Sequence, residues 1–224
     1  MSVFGYVQAG GGSTRFGTDK ATVELAGKTM LARTCELLAP ICRSVRIVAP
    51  TDKYPDAPVP VIADKWPGEG PLGGILTALY HCDGLSRTLQ QARAKGAEAH
   101  AFALILSCDM PFLTREWLVY LCDRSAISKA EVIVAESKNG LEPLCACWRT
   151  DAAARVQIAF DGGVRKVTEA MKRLRMEVLD ESVWKRFDSE GRLFWNMNTP
   201  TDYEEARRIF EKRAGQTPSK SGSS

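Results

Sequence analysis

The sequence predicts an α/β fold in which a mostly parallel sheet carries helices on both faces. Short apolar runs rich in β-branched residues alternate along the chain with segments of helical periodicity. One of these runs, residues 102–106, is apolar at every position, as expected of a central strand covered on both sides. A chain of 224 residues is long enough for one substantial core and needs no second domain.

The predicted strands and helices follow one another along the chain. The strands are residues 3–8, 45–49, 102–106, 131–135, 142–148 and 175–179. The helices are residues 29–39, 73–82, 114–125, 150–160, 164–173 and 200–213. Residues 84–100 fit either a polar helix or a loop insertion.

Strand 142–148 differs from the others in its pattern. Side chains alternate between the faces of a sheet, so Cys145 and Cys147 are expected on one face and Ala146 and Trp148 on the other. The domain is predicted to span residues 1–213. Residues 214–224, rich in Ser, Gly and Lys, are predicted to form a disordered tail.

Composition excludes several classes of protein. The net charge of +3, without a basic block, argues against a nucleic-acid partner, and no apolar run approaches a membrane span. The chain begins directly with a strand, so no signal peptide is expected. The 7 cysteines include no C-x-x-C pair and there are 2 histidines, which argues against zinc and favours a reduced, cytoplasmic protein.

A glycine-rich loop, residues 8–20, follows the first strand. Its consecutive glycines permit a tight turn, and their amides can bind phosphate oxygens. Arg15 and Lys20 add positive charge. The loop matches neither the dinucleotide fingerprint G-x-G-x-x-G nor the P-loop. We interpret it as a polyphosphate cradle; a surface turn with incidental charge is the alternative.

Asp109 follows the predicted central strand. Ligands of open α/β sheets bind at the carboxyl ends of the strands, where this carboxylate would face the glycine loop. Magnesium takes one or two carboxylates together with waters and substrate phosphates, so Asp109 is a candidate Mg²⁺ ligand. A simple turn or capping role is the alternative.

A second glycine-rich connection runs from Asp64 to a helix that begins at about Gly73. Free amides at the helix start could contact a ribose, a base edge or a phosphate, and Asp64 could accept hydrogen bonds from a base or sugar. A flexible linker with a solvated aspartate is the alternative.

The segment from Asn196 to Asp202 contains a helix start. Thr199 as N-cap, Pro200 at the first position and Asp202 at the third account for the cap. They leave Asn196 and Asn198 available for a polar second substrate.

These segments together resemble the molybdenum cofactor guanylyltransferases of the nucleotidyltransferase superfamily. The family's motifs occur in order as residues 9–20, Asp64 with 70–75, 108–111 and 196–202, and so extend over most of the chain. The resemblance implies a single-domain, three-layer, Rossmann-like nucleotidyltransferase fold with a mostly parallel sheet. One position departs from the family: Gln8 stands where leucine is usual, close to the expected base pocket.

The resemblance also implies a reaction. GMP is transferred from GTP to molybdopterin, which forms the guanine dinucleotide cofactor and releases pyrophosphate, with Mg²⁺ as cofactor. The attacking phosphate of the pterin is already ionised, so no general base is required. Molybdoenzyme apoproteins or cofactor-insertion proteins are expected as further partners.

The implied site residues fall into functional groups. The catalytic group is Arg15, Lys20 and Asp109, and Asp109 is also the metal ligand. The nucleotide-binding group is Gln8, Ala9, Gly10, Gly11, Gly12, Lys20, Asp64, Gly70, Pro71, Leu72, Gly73 and Asp109. The pterin-binding group is Asn196 and Asn198.

Two alternative functions remain. A molybdopterin cytidylyltransferase, or another nucleotidyltransferase of this fold, shares the glycine loop, but such loops tend to read A-A-G rather than the A-G-G of residues 9–11. A non-catalytic protein that binds a nucleotide and delivers the cofactor belongs to a different class. Asp109 and Lys20 argue against it, because a pure binder needs neither a metal nor a charge at the leaving group.

Overall fold

The computed structural model describes residues 2–9, 19–91, 101–188 and 190–215. Within them the strands are β1 Ser2–Gln8, β2 Glu24–Leu25, β3 Lys28–Thr29, β4 Val45–Ala49, β5 Val61–Ala63, β6 Ala101–Ser107, β7 Val132–Ser137, β8 Gly140–Arg149 and β9 Met176–Leu179. The α-helices are α1 Met30–Leu38, α2 Pro71–Gln91, α3 Arg115–Ile127, α4 Ala153–Asp161, α5 Val167–Met171, α6 Glu181–Trp184 and α7 Pro200–Gly215. Residues 216–224 of the predicted tail lie outside the described residues.

The main sheet has seven strands in the order β5-β4-β1-β6-β8-β7-β9. Its pairs are parallel except those that β8 makes with β6 and β7. The predicted mostly parallel α/β sheet is therefore confirmed. From β1 the chain builds outward through β4 to one edge and then returns to add β6 on the other side of β1. This reversal places a crevice at the carboxyl ends of β1 and β6.

Separate hydrophobic cores cover the two faces of the sheet. Helices α1, α3 and α6 pack on one face, and α2, α4 and α5 pack on the other. Strand β6 contributes to both, since Leu104 and Leu106 lie in the first core and Ala103 and Ile105 in the second. The alternation predicted for β8 is confirmed in the same way: its cysteines join the first core, and Ala146 and Trp148 join the second.

A third, smaller cluster anchors the C-terminal helix α7. Leu25 and Met30 pack there with Phe112, Met197 and Ala206. This cluster holds the segment before α7 against the loop that follows β6. Within the described part of the chain, no helix combines the length and apolar character needed to cross a membrane.

Some helix boundaries differ from the predicted ones. Helix α2 begins at Pro71 and continues to Gln91, so residues 84–91 of the uncertain segment are helical, whereas 92–100 lie outside the described residues. The predicted helix 150–160 begins as a 3-10 turn at Thr150–Ala152. The predicted helix 164–173 shortens to α5, because Lys166 has an extended backbone (φ −77°, ψ 122°) and the helix begins only after it.

The short elements were not predicted. Strands β2 and β3 form a hairpin around Ala26 and Gly27, whose φ angles of 49° and 73° suit a two-residue turn. Strand β5 and helix α6 span only 3 and 4 residues. Segments this short show no measurable hydrophobic period, which explains why the sequence pattern does not reveal them.

Candidate active site

Three predicted site residues meet at the crevice between β1 and β6. The Nζ atom of Lys20 lies 2.6 Å from Oδ1 of Asn198 and 3.5 Å from Oδ2 of Asp109. The Lys20 and Asp109 side chains are only 15% and 19% exposed. Residues far apart in sequence thus place an ammonium, a carboxylate and an amide at one point.

Asp109 has an oxygen that is available for a ligand. Its Oδ1 is buried and has no hydrogen-bond partner among the described residues. A buried polar atom without a partner is costly, and such atoms in functional sites commonly await a ligand. The backbone of Asp109 is held in place by a hydrogen bond, which Met197 N donates to Asp109 O at 2.8 Å.

The two ends of the glycine loop meet at Tyr54, in the connection after β4. The Tyr54 hydroxyl lies 2.8 Å from Ala9 O and 2.7 Å from Asp19 Oδ2. Lys53 Nζ lies 2.8 Å from the same Asp19 oxygen. Burial raises the pKa of Asp19, but the hydrogen bonds from Lys53, Tyr54 and the Ala21 amide outweigh it and hold the pKa below its usual value.

Gln8 connects the first strand to the start of α2. Its Nε2 donates to Pro71 O at 3.2 Å. Its amide group packs over Gly74, where an added Cβ would come within 2.9 Å of the Gln8 side chain. A larger residue at position 74 would therefore displace Gln8, and the two glycine-rich segments adjoin here.

Asp64 is tied to its own connection. Its Oδ1 accepts hydrogen bonds from Trp66 N at 3.0 Å and Thr77 Oγ1 at 2.9 Å, which fixes the turn from β5 into α2. Gly70 has φ +78° and ends this turn just before the helix. Leu72 is fully buried and packs in the core on the α2 face of the sheet.

The predicted cap of α7 is confirmed. The Asp202 carboxylate accepts from Asn198 N at 2.8 Å and Thr199 N at 2.7 Å, and Asp202 N donates to Thr199 Oγ1 at 3.2 Å. The cap orients Asn198 toward Lys20. Asn196 instead donates through Nδ2 to Phe194 O at 3.3 Å.

Glu142 adds a second carboxylate near Asp109. It lies at the start of β8, and because β8 runs antiparallel to β6 this start falls at the carboxyl end of β6. Ser137 Oγ donates to Glu142 Oε1 at 2.6 Å. Burial raises the pKa of Glu142 and the charge of Asp109 raises it further, against the opposing bond from Ser137. Glu142 lies here because β8 runs antiparallel to β6, and the sequence pattern does not indicate the direction of a strand.

Some predicted site residues lie outside the described part of the chain: Gly10, Gly11, Gly12 and Arg15. The structure describes the cradle at its two ends, Ala9 and Asp19. Tyr54 and Lys53, which hold those ends, were not anticipated. The only sequence feature that could have pointed to them is the single tyrosine in the polar, proline-rich segment between β4 and β5.

The sequence pattern of the MobA-like NTP transferase domain matches residues 5–175. The chain belongs to this family. A MobA-like NTP transferase is a nucleotidyltransferase, in agreement with the strand-end crevice and its charged residues.

Several relatives of this MobA-like NTP transferase are similar over most of their length. The "probable molybdenum cofactor guanylyltransferase" of Chloroflexus aggregans is 31% identical over 207 residues, which cover 90% of this chain and 92% of that protein. The molybdenum cofactor guanylyltransferase of Syntrophotalea carbinolica is 27% identical, with 90% and 89% covered.

A solved structure also resembles this MobA-like NTP transferase. The molybdopterin-guanine dinucleotide biosynthesis protein A of Archaeoglobus fulgidus superposes with a TM-score of 0.76 at 25% identity. The superposition covers 93% of this chain and 99% of that one. The three-layer nucleotidyltransferase fold expected from the sequence is thereby confirmed.

Proposed function

We propose that this chain transfers GMP from GTP to molybdopterin, releasing pyrophosphate and forming the guanine dinucleotide cofactor. The observation that supports this most directly is the meeting of Lys20, Asp109 and Asn198 at the carboxyl ends of β1 and β6. The names of the relatives support the choice of both substrates.

Asp109 fits the magnesium ion that the reaction is expected to use. A buried carboxylate oxygen without a partner is a suitable Mg²⁺ ligand, since this ion keeps several waters and takes its remaining oxygens from substrate phosphates. Asp109 would therefore hold the ion. When bound, Mg²⁺ supplies charge neutralisation at the phosphate oxygens.

Lys20 supplies fixed positive charge at the same point. Asn198 accepts a hydrogen bond from its ammonium group and restricts where it points, so little reorganisation is required when phosphate charge develops. The attacking phosphate of the pterin is an oxyanion at neutral pH. Catalysis then consists of positioning and charge stabilisation, with no residue needed to remove a proton.

The remaining predicted residues are assigned by position. Gln8, Asp64 and the Gly70–Gly73 segment are proposed for the nucleoside, because Gln8 and Pro71 are joined beside the glycine loop. Ala9, Gly10, Gly11, Gly12 and Arg15 are proposed for the phosphates. Asn196 and Asn198 are proposed for the pterin side.

A nucleotide panel tests the function. Pyrophosphate release is measured with Mg²⁺ and each of GTP, CTP, ATP and UTP, in the presence and absence of molybdopterin. We expect release only when GTP and molybdopterin are both present. Release with CTP in place of GTP would identify a cytidylyltransferase, and GTP binding without any release would favour a delivery protein.

A further inference from the structure

We propose that Tyr54 is a positioning residue for nucleotide binding, whose hydroxyl ties the end of β1 to the carboxylate of Asp19 and so sets the place of Lys20. The inference rests on the proposed function, in which Lys20 contacts the nucleotide phosphates.

The Tyr54 hydroxyl bridges two points that are distant along the chain. Ala9 ends the first strand and Asp19 begins the described chain after the glycine loop, yet both lie within 2.8 Å of this one oxygen. Tyr54 is only 7% exposed, and its ring belongs to the core on the α1 face of the sheet. Because the buried ring cannot shift freely, its hydroxyl fixes how far apart the two loop ends stand.

Asp19 passes this constraint to Lys20. Its Oδ1 accepts from Ala21 N at 3.1 Å and caps the 3-10 turn Lys20–Thr22, while its Oδ2 faces Tyr54 and Lys53. Both carboxylate oxygens are thus engaged within the protein. Asp19 acts as an anchor for the turn that carries Lys20 toward Asp109.

The hydroxyl can be separated from the ring by substitution. Tyr54→Phe keeps the buried ring and its contact with the Lys53 ammonium, 5.3 Å from the ring centroid, but removes both hydroxyl contacts. Tyr120→Phe is the matched control, because Tyr120 lies in α3 and its ring stacks on that of Trp117. The two substitutions remove the same atom from half-buried or buried rings.

GTP affinity and steady-state kinetics give the test. We expect Tyr54→Phe to raise the Kd and the KM for GTP up to about tenfold, because a displaced Lys20 weakens or loses its charge-assisted contact with the phosphates. The KM for molybdopterin should stay unchanged, as should every constant of Tyr120→Phe. A purely structural role would lower the thermal midpoint and leave the two KM values in their original ratio.

A double substitution tests the route through Lys20. If Tyr54 acts by placing Lys20, Tyr54→Phe should cost little further GTP affinity in a Lys20→Ala background. The inference would be overturned if the fold-losses in GTP affinity of the two single variants multiplied in the double variant, or if Tyr54→Phe left GTP affinity unchanged. Either result would leave the proposed function intact. If the wild-type chain binds another nucleoside triphosphate instead of GTP, the proposed function fails. The affinities of wild type, Tyr54→Phe, Lys20→Ala and the double variant are then compared for that nucleotide, and the same outcomes decide the inference. Binding of none would overturn both.

Discussion

Among single residues, Asp109 carries the most specific expectation. Its Oδ1 is buried without a partner, while Oδ2 faces Lys20. Asp109→Asn keeps the shape of the side chain but removes the charge that would hold Mg²⁺. We expect pyrophosphate release to fall by on the order of a hundredfold or more, with thermal stability within about 1 kcal/mol of wild type.

The measurement is a pyrophosphate assay beside a thermal melt. Asp188→Asn provides a control carboxylate, since both oxygens of Asp188 already accept hydrogen bonds, from Arg192 N and Leu193 N. Near-normal turnover in Asp109→Asn would refute the assignment of this residue to the metal.

Lys20 is expected to act mainly on nucleotide affinity. Its ammonium is held by Asn198 at 2.6 Å and would meet phosphate oxygens. Lys20→Ala should weaken GTP binding roughly tenfold or more, because a charge-assisted contact to phosphate is lost. Calorimetry measures the change. Lys28→Ala is the control, since Lys28 pairs with Glu36 on the exposed side of α1; equal affinity in both variants would contradict the role of Lys20.

Among individual residues, those in the sequence motifs could be predicted, but the residues that contact them could not. Lys20 and Asp109 follow from residue type and position after a strand. The contacts of Tyr54 with Ala9 and Asp19 join residues 45 and 35 positions apart, and such long-range pairs leave no local pattern. For the same reason the sequence could not reveal Glu142 beside Asp109.

Among the elements, the contact between α2 and β1 includes a titratable pair. The Tyr6 hydroxyl lies 2.9 Å from Nδ1 of His81 in α2, and Tyr6 is fully buried. Burial, together with the charges of Arg46 and Lys65, lowers the pKa of His81 below its usual value. The folded protein therefore favours neutral imidazole, whose Nδ1 can accept a hydrogen bond from the Tyr6 hydroxyl.

This pair predicts a pH-dependent stability. The pKa of His81 is lower in the folded protein than in the unfolded chain. The stability that neutral His81 contributes is therefore fully present above its pKa in the unfolded chain, about 6.5, and is lost as the pH falls below that value. Thermal melts at about pH 7.5 and about pH 5.5 should show a larger loss for wild type than for His81→Gln, which keeps an acceptor without titrating. Equal losses would exclude His81 as the source.

The long strands and helices were predictable because their apolar period or uniform burial extends over many residues. Helix α2 was predicted too short because its C-terminal half turns polar, although no proline ends it before Gln91. The hairpin of β2 and β3 depends instead on positive φ angles at Ala26 and Gly27. Alanine gives no sequence signal for that conformation.

For the whole molecule, the two cores account for the unusual number of cysteines. All seven, Cys35, Cys42, Cys82, Cys108, Cys122, Cys145 and Cys147, are buried free thiols. Burial raises the pKa of Cys108 and of Cys145 to about 12, so thiolate is scarce at neutral pH. The cysteines are small apolar core residues.

This burial predicts slow thiol chemistry in the folded protein. A chromogenic disulfide reagent at neutral pH should label the native chain only as fast as it opens, and should label all 7 cysteines at once in denaturant. The absorbance of the released chromophore, followed over time with and without denaturant, gives the two labelling rates. Rapid labelling of any thiol in the native protein would contradict the packing of the core that holds it.

The contact between Lys20 and Asn198 joins residues 178 positions apart. The matched family region ends at residue 175, so one of the groups at the crevice comes from beyond it. During synthesis Lys20 emerges before Asn198 and lacks this amide partner until the segment before α7 leaves the ribosome. The order of translation therefore means that Lys20 cannot make this contact until the chain has been synthesised beyond Asn198.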